Sequence, residues 1–301
     1  MAENVTFRQL RYFVAAAQTG QFSMAAANEH VSQSAITNAV LALEDMLGRK
    51  LFERLPHGVA LTPEGQDFLS HARRVLDSVR DAMHKTPFRS HDLCGIVRIA
   101  ASYTVVGYFL PELLARFRAT YPGVNIVLND VDRVSIEHMV ANGDVDVGVA
   151  ILSNIERMSR FESHVLIRSR RQLWLAPTHP LAENASPSLK DIAAYPYVQV
   201  TVDEGEESTS RYWKKQRLAP NIAFRTTSME ALRGLVAHGF GVTILSDMLF
   251  RPWSLEGKPI VARPVADTVP QMDAGLIWRK GNGMTEPGKA FQQFLIHACG
   301  S

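Results

Sequence analysis

Apolar positions recur every three to four residues through the first fifth of the chain, with glycines closing each run. Leu10, Phe13, Val14 and Ala17 share one helical face and Gly20 ends it, which predicts a helix over residues 6–20. A shorter helix follows over 22–29. After a turn at His30, Val31 and Ser32, a third is lined by Ile36, Val40, Leu43 and Leu47 and stopped by Gly48. Three short helices joined this tightly need a common core. From residue 50 to 62 the pattern changes to two extended runs, 50–54 and 58–62, around a turn at Leu55-Pro-His-Gly58, which reads as a hairpin. Thr62, Pro63 and Glu64 then provide the N-cap, first-turn proline and first-turn acid of a long helix reaching about Lys85.

In that helix Leu69, Ala72, Leu76, Val79 and Met83 alternate spacings of three and four. Such a narrow seam suits pairing with another helix, so these five are candidate dimerisation residues; the competing use of the same stripe is packing on their own domain. Residues 88–95 read as a hinge. Beyond it strands at 96–101, 124–130 and 145–151 alternate with helices at 105–120 and 135–142, an order that predicts a parallel sheet covered by helices. Strands at 172–176, 197–200, 222–226 and 242–245, with helices at 207–217 and 229–238, predict a second α/β unit. The closing strand at 273–279 and helix at 286–299 are placed to complete the first unit.

The expected fold class is therefore α/β and multidomain. A small helical domain with a hairpin spans 1–62, a linker helix 63–89 and a bilobed domain 90–301. Lobe I takes about 95–167 and 271–301, and lobe II about 168–270. Two crossovers between lobes would let them close like a hinge.

The stretch from Phe22 to Glu44 is a helix, a short turn and a second helix, with Ala25 and Ala26 small enough for close crossing. Ser32 can cap the second helix, whose first turns present Gln33, Ser34, Thr37 and Asn38. In helix-turn-helix proteins this part of the second helix enters the major groove, where such groups meet base edges. The hairpin would form a wing, with Arg49, Lys50 and Arg54 available to phosphates.

At this point the sequence resembles the LysR-type transcriptional regulators. The matching pieces are Gly20-Gln-Phe22, Ala25-Ala26, Val31-Ser-Gln33, Ala35-Ile-Thr37, Leu43-Glu44, Leu47-Gly48, Leu51-Phe-Glu-Arg54 and Leu61-Thr-Pro-Glu-Gly65. Looser matches continue through Phe109-Leu-Pro111, Phe117, Tyr121-Pro122, Gly143-Asp-Val-Asp-Val147, His179-Pro-Leu181 and Leu235-Val-Ala-His-Gly-Phe-Gly-Val242. The resemblance implies a winged helix-turn-helix, a dimerising linker helix and a two-lobed effector domain similar to periplasmic solute-binding proteins. It implies as partners an operator in double-stranded DNA, a small-molecule effector, a second or further copies of the chain as homodimer or homotetramer, and RNA polymerase. Three positions depart from the family pattern: Glu29 where an apolar residue is usual, Ser34 where proline is frequent, and Asn38 where arginine is frequent.

Charge changes this picture in one respect. Lys and Arg number 32 against 30 Asp and Glu, a net +2, and residues 1–62 balance Arg8, Arg11, Arg49, Lys50 and Arg54 against Glu3, Glu29, Glu44, Asp45 and Glu53. DNA affinity would have to come from the distribution of charge rather than its sum. With 46% apolar residues the chain has ample core material, and disorder is excluded. The 2 cysteines, Cys94 and Cys299, form neither a CxxC nor a Cys/His cluster, so no metal site is expected. No secretory-type apolar run opens the sequence and no uncharged stretch of roughly 18 residues follows, so the expectation is a cytoplasmic protein without membrane contact.

No GxSxG, Walker, HExxH or GxGxxG pattern is present, so neither catalytic residues nor a cofactor are expected. The alternative to a regulator is a stand-alone small-molecule binder or an enzyme built on the α/β lobes. For the effector, the carboxyl ends of strands are the natural place. Ser102, Tyr103 and Thr104 follow the first strand, Thr201 follows a strand of the second lobe, Thr227 and Ser228 precede a helix, and Arg133 is the cation expected near the cleft mouth. Together they point to an organic anion, although the hydroxyls serve equally as ordinary helix caps.

Overall fold

The computed structural model describes residues 5–55, 58–83, 93–155, 158–281 and 283–299. The chain separates into two compact units, residues 1–85 and 86–301. The expected hinge at 88–95 lies for its first five residues outside the described residues.

In the first unit α1 (Phe7–Thr19), α2 (Phe22–Asn28) and α3 (Gln33–Leu47) are followed by β1 (Phe52–Leu55), β2 (Gly58–Leu61) and α4 (Pro63–Met83). Local chemistry sets each boundary. Thr6 and Gln9 form a capping box at the start of α1, and Gly20 and Gly48 end α1 and α3 in the left-handed conformation that glycine adopts most easily. The Thr62 hydroxyl accepts from Gly65 N at 2.9 Å and donates to Lys50 O at 2.7 Å, so the cap of α4 is also tied to the wing. Phe13, Ile36, Val40, Leu43 and Leu51 are fully buried in the core, where Phe13 meets Phe52 and Phe68 at ring separations of 5.3 and 5.1 Å.

Leu69 and Ala72 of α4 are buried in this same core, and Leu76 packs against it. The first half of the expected seam is thus occupied within its own unit, because α4 lies along α1. Val75 remains exposed and Val79 half-buried. The Met83 side chain is outside the described residues.

The second unit has two lobes. In lobe I, β3 (Gly95–Ala101), β4 (Val124–Asp130), β5 (Val147–Ile151), β6 (Phe161–Ser169) and β12 (Met272–Arg279) make one sheet in the order β4-β3-β5-β12-β6. The expected parallel sheet is corrected to a mixed one: β12 runs antiparallel between β5 and β6. Helices α5 (Tyr103–Tyr108), α6 (Leu110–Thr120), α7 (Arg133–Asn142) and α11 (Glu286–Cys299) belong to this lobe. Phe117, Tyr121, Phe291 and Leu295 cover one sheet face, and Ile136 and Val140 of α7 the other. The single helix expected over 105–120 is in fact two, since Phe109 leaves helical geometry ahead of Pro111.

Lobe II carries β7 (Arg171–Leu175), α8 (Leu189–Ala193), β8 (Pro196–Val200), α9 (Gly205–Lys215), β9 (Asn221–Thr226), α10 (Met229–Ala237), β10 (Thr243–Ser246) and β11 (Val261–Pro264). β7 lies antiparallel between β10 and β11, and β8 pairs parallel with β9 and bridges to Val242 beside β10. Leu173, Tyr197 and Ile244 pack beneath Tyr212 and Trp213 of α9, while Trp174, Val198 and Leu245 face α10 and continue the core of lobe I. The chain leaves lobe I after Ser169 and returns ahead of Met272.

Candidate nucleic-acid interface and effector cleft

Helix α3 begins with the Ser32 side chain accepting from Ala35 N at 3.2 Å. Ser34 Oγ lies 2.9 Å from Ser32 Oγ, and Thr37 Oγ1 donates to Gln33 O at 3.0 Å. These three hydroxyls have local bonds. Gln33 and Asn38 are exposed, and among the described residues no side-chain hydrogen bond engages either amide. Two side chains able both to donate and to accept are thereby left at the start of a capped helix.

Two of the acids in the charge balance of this unit, Glu29 and Glu44, are structural. Glu29 sits at the end of α2 and accepts from Arg11 Nε at 3.1 Å, with Arg11 Nη2 on the same oxygen. This explains why an acid stands where the family usually has an apolar residue: it ties α2 to α1. The Glu29 carboxylate, by hydrogen bond and then charge, raises the Arg11 pKa. Glu44 is only 6% exposed. Its Oε1 accepts from Leu51 N at 2.8 Å and Phe52 N at 3.2 Å, and its Oε2 from Lys50 Nζ at 2.7 Å. Burial pushes the Glu44 carboxyl up, but the Lys50 hydrogen bond and the two backbone donors outweigh it, and the pKa falls below the ordinary carboxylate range.

Glu44 replaces Leu47 on the inward stripe, since Leu47 is 37% exposed. The signal was available in the four-residue step from Val40 to Glu44. At the wing, Lys50 is tied to Glu44 but keeps an exposed ammonium, and Arg49 is exposed with no ion pair among the described residues. The Arg54 side chain is outside the described residues; its backbone pairs with Val59.

In the second unit the expected effector residues gather unevenly. Ser102 precedes α5 without capping it, and its buried hydroxyl has no hydrogen-bond partner among the described residues. Thr104 N donates to Asp203 Oδ2 at 2.8 Å, and Thr104 Oγ1 donates to the same oxygen. A carboxylate of lobe II therefore already meets the donors expected to receive an anion. Tyr103 is partly exposed; burial first, then the neighbouring Tyr108 and Glu230, raise its pKa. Thr201 Oγ1 donates to Thr226 O at 3.3 Å, Ser228 caps α10 through Ala231 N at 3.1 Å, and Thr227 is exposed.

Arg133, the cation expected near the cleft mouth, is the first residue of α7 and pairs with Glu137 at 2.7 Å one turn on. Sequence reading missed Glu230 and Arg233. Arg233 is 1% exposed and donates to Glu230 Oε1 at 2.6 Å, Tyr108 OH at 3.0 Å and Leu249 O at 2.7 Å.

Among the described residues no group of His, Cys, Asp and Glu is arranged to hold a metal ion, and no helix is long and apolar enough to cross a membrane. Cys94 precedes β3, whose first residue Gly95 abuts Pro287 near the start of α11, whereas Cys299 ends that helix. At 1.5 Å per residue the helix separates them by about 18 Å, well beyond disulfide reach.

A compact helix-turn-helix unit with a wing, joined to a two-lobed α/β unit, defines a ligand-responsive DNA-binding regulator. The lysR-family bacterial regulatory helix-turn-helix model matches residues 7–66, and the LysR substrate binding domain model matches residues 90–300. The chain belongs to the LysR family of transcriptional regulators. It is 27% identical over 294 residues to the RuBisCO operon transcriptional regulator of Allochromatium vinosum, covering 97% of this chain and 96% of that one. It is 29% identical over 246 residues to the regulator CysB of Haemophilus influenzae, covering 80% and 75%. Among solved structures it is similar to HinK, a LysR family regulator of Pseudomonas aeruginosa, with a TM-score of 0.62, 27% identity and coverage of 96% and 97%. These relatives are named as regulators of transcription, not as enzymes.

Proposed function

We propose that this regulator reads operator DNA with the first turns of α3 and answers a small organic anion bound between the lobes of its second unit. The observation that carries the reading is the pair of exposed amides, Gln33 and Asn38, on a helix whose neighbouring hydroxyls are held locally. Ser32, Ser34 and Thr37 border them, while Arg49, Lys50 and Arg54 supply phosphate contacts at the wing. Operator binding uses a homodimer or homotetramer, with pairing through the later part of α4, where Val75 is exposed and Leu76, Val79 and Met83 continue the seam. Such avidity compensates for a nearly neutral first unit.

The effector is held by Ser102, Tyr103 and Thr104 from lobe I and by Thr201, Thr227 and Ser228 from lobe II. The carboxylate of Asp203 on Thr104 supports an anion as the ligand, because it displays the chemistry those donors accept. The protein acts in the cytoplasm, where operator and RNA polymerase are found.

Gel-shift titration of the promoter region next to its own gene, with and without small carboxylic acids, tests the reading. Gln33→Ala is expected to lower preference among sequences by about 1–3 kcal/mol, the usual worth of a bidentate base contact. Arg49→Ala should weaken all DNA binding alike and reduce the salt slope by about 1. Unchanged specific and non-specific affinity in Gln33→Ala would remove α3 from the groove.

A further inference from the structure

The apolar core runs continuously from lobe I into lobe II, and such contact lacks direction. Polar contacts between the lobes do have direction; some join Ser169 to Ser246 and Asp247, and two further sets end on α5. At its first turn Thr104 donates twice to the Asp203 carboxylate, while the buried side chain of Asn154, also in lobe I, donates to Asp203 O at 2.8 Å. At its last residue the Tyr108 hydroxyl accepts from Arg233 Nη1 of lobe II, and the Arg233 guanidinium lies 5.0 Å from the Tyr108 ring centre. One short helix is therefore grasped at both ends by the opposite lobe.

We infer that α5 is the bolt of a two-point latch, closed on Asp203 and on Arg233, which holds the two lobes together and must release for them to part. Backbone geometry at Asp203 supports this. Its φ of 50° and ψ of 45° fall in the left-handed region that side chains other than glycine rarely adopt. Asp203 is held there by three bonds from the other lobe, so parting the lobes both breaks them and frees the residue to relax. Hinged domains with two discrete arrangements are biased by contacts of this kind, present in one arrangement and absent in the other. The latch concerns lobe motion alone and stands whether the ligand is an anion or not.

Hydrogen exchange of the full-length, ligand-free protein tests it, comparing wild type with Asp203→Gly, Thr104→Val and Tyr108→Phe. Glycine accepts the left-handed backbone, valine keeps the shape of Thr104 without its hydroxyl, and phenylalanine keeps the Tyr108 ring without its donor and acceptor. A retained cooperative tryptophan-fluorescence unfolding transition shows that each variant keeps its fold. The expected result is exchange at least tenfold faster in Asp203→Gly, both at 102–106 and across the cleft at 152–155 and 226–232. Smaller increases over the same segments are expected in Thr104→Val and Tyr108→Phe, and combining Asp203→Gly with Tyr108→Phe should exceed either alone. Acceleration confined to the amide of Thr104 would make Asp203 an ordinary helix cap and overturn the latch, as would no acceleration in any variant.

Discussion

Glu44→Ala is expected to destabilise the first unit by about 3 kcal/mol. The substitution strips the acceptor from two buried backbone donors, Leu51 N and Phe52 N, and each orphaned donor costs about 1–3 kcal/mol. Lys50 loses its partner as well, but that side chain is 69% exposed and the loss adds little. All 4 tryptophans lie beyond residue 170, so the effect can be isolated within the whole chain. The far-UV circular dichroism transition in urea should move to lower denaturant, while the tryptophan fluorescence transition stays in place.

The pH dependence follows in sign from the depressed pKa of Glu44. Its contribution is fully present above the unfolded value, near 4.5, and is lost as pH falls through the lower folded value. Glu44→Gln keeps an acceptor but has no charge to lose. Its first unit should therefore show a weaker fall in stability below about pH 4.5 than wild type does. Equal acid sensitivity in the two proteins would mean that Glu44 is not held ionised by the wing.

Gly65→Ala is the second large effect, expected to cost about 3 kcal/mol or more in the same transition. A Cβ at residue 65 would lie 2.0 Å from Leu51 O and 2.9 Å from Leu51 C, both backbone atoms. Either α4 or the strand entering the wing must move, and the Thr62 bond that joins them goes with it. Gly48→Ala is the control. That position has nothing within 4 Å, but its φ of 63° still disfavours a side chain, so a loss nearer 1 kcal/mol is expected. If both variants lose the same amount, crowding against Leu51 is not the cause.

What could be read from sequence was local. The helix-turn-helix was legible because its caps, closing glycines and apolar steps are all written within four residues of one another. Glu44 was not, because its role depends on donors seven and eight residues away across a turn. The second unit was harder for the same reason. The antiparallel placement of β12 joins segments more than a hundred residues apart, and β6 and β11 lack the alternation that announces a strand. The Asp203 contact with Thr104 spans 99 residues and depends on a left-handed aspartate that no pattern marks. The ion pair of Arg133 is a local matter. Glu137 stood one turn away, and the spacing alone identified its partner.

The distribution of charge also acquires a physical reading. Of the acids that cancel the basic residues of the first unit, Glu29 and Glu44 are tied to Arg11 and Lys50. They work as internal fasteners, leaving Arg8 and Arg49 exposed without ion pairs among the described residues.

Selection of bound sequences from a random duplex pool tests the central claim most directly, since it presupposes no operator sequence. The full-length wild type, run beside Asn38→Ala and Gln33→Ala, should enrich a two-fold symmetric motif whose half-sites lie about one helical turn, or a multiple of it, apart. The two variants should enrich motifs that differ from it at defined positions while keeping the same half-site spacing. Enrichment of an identical motif by all three proteins, or of none by the wild type, would contradict the assignment of α3 as the reading element.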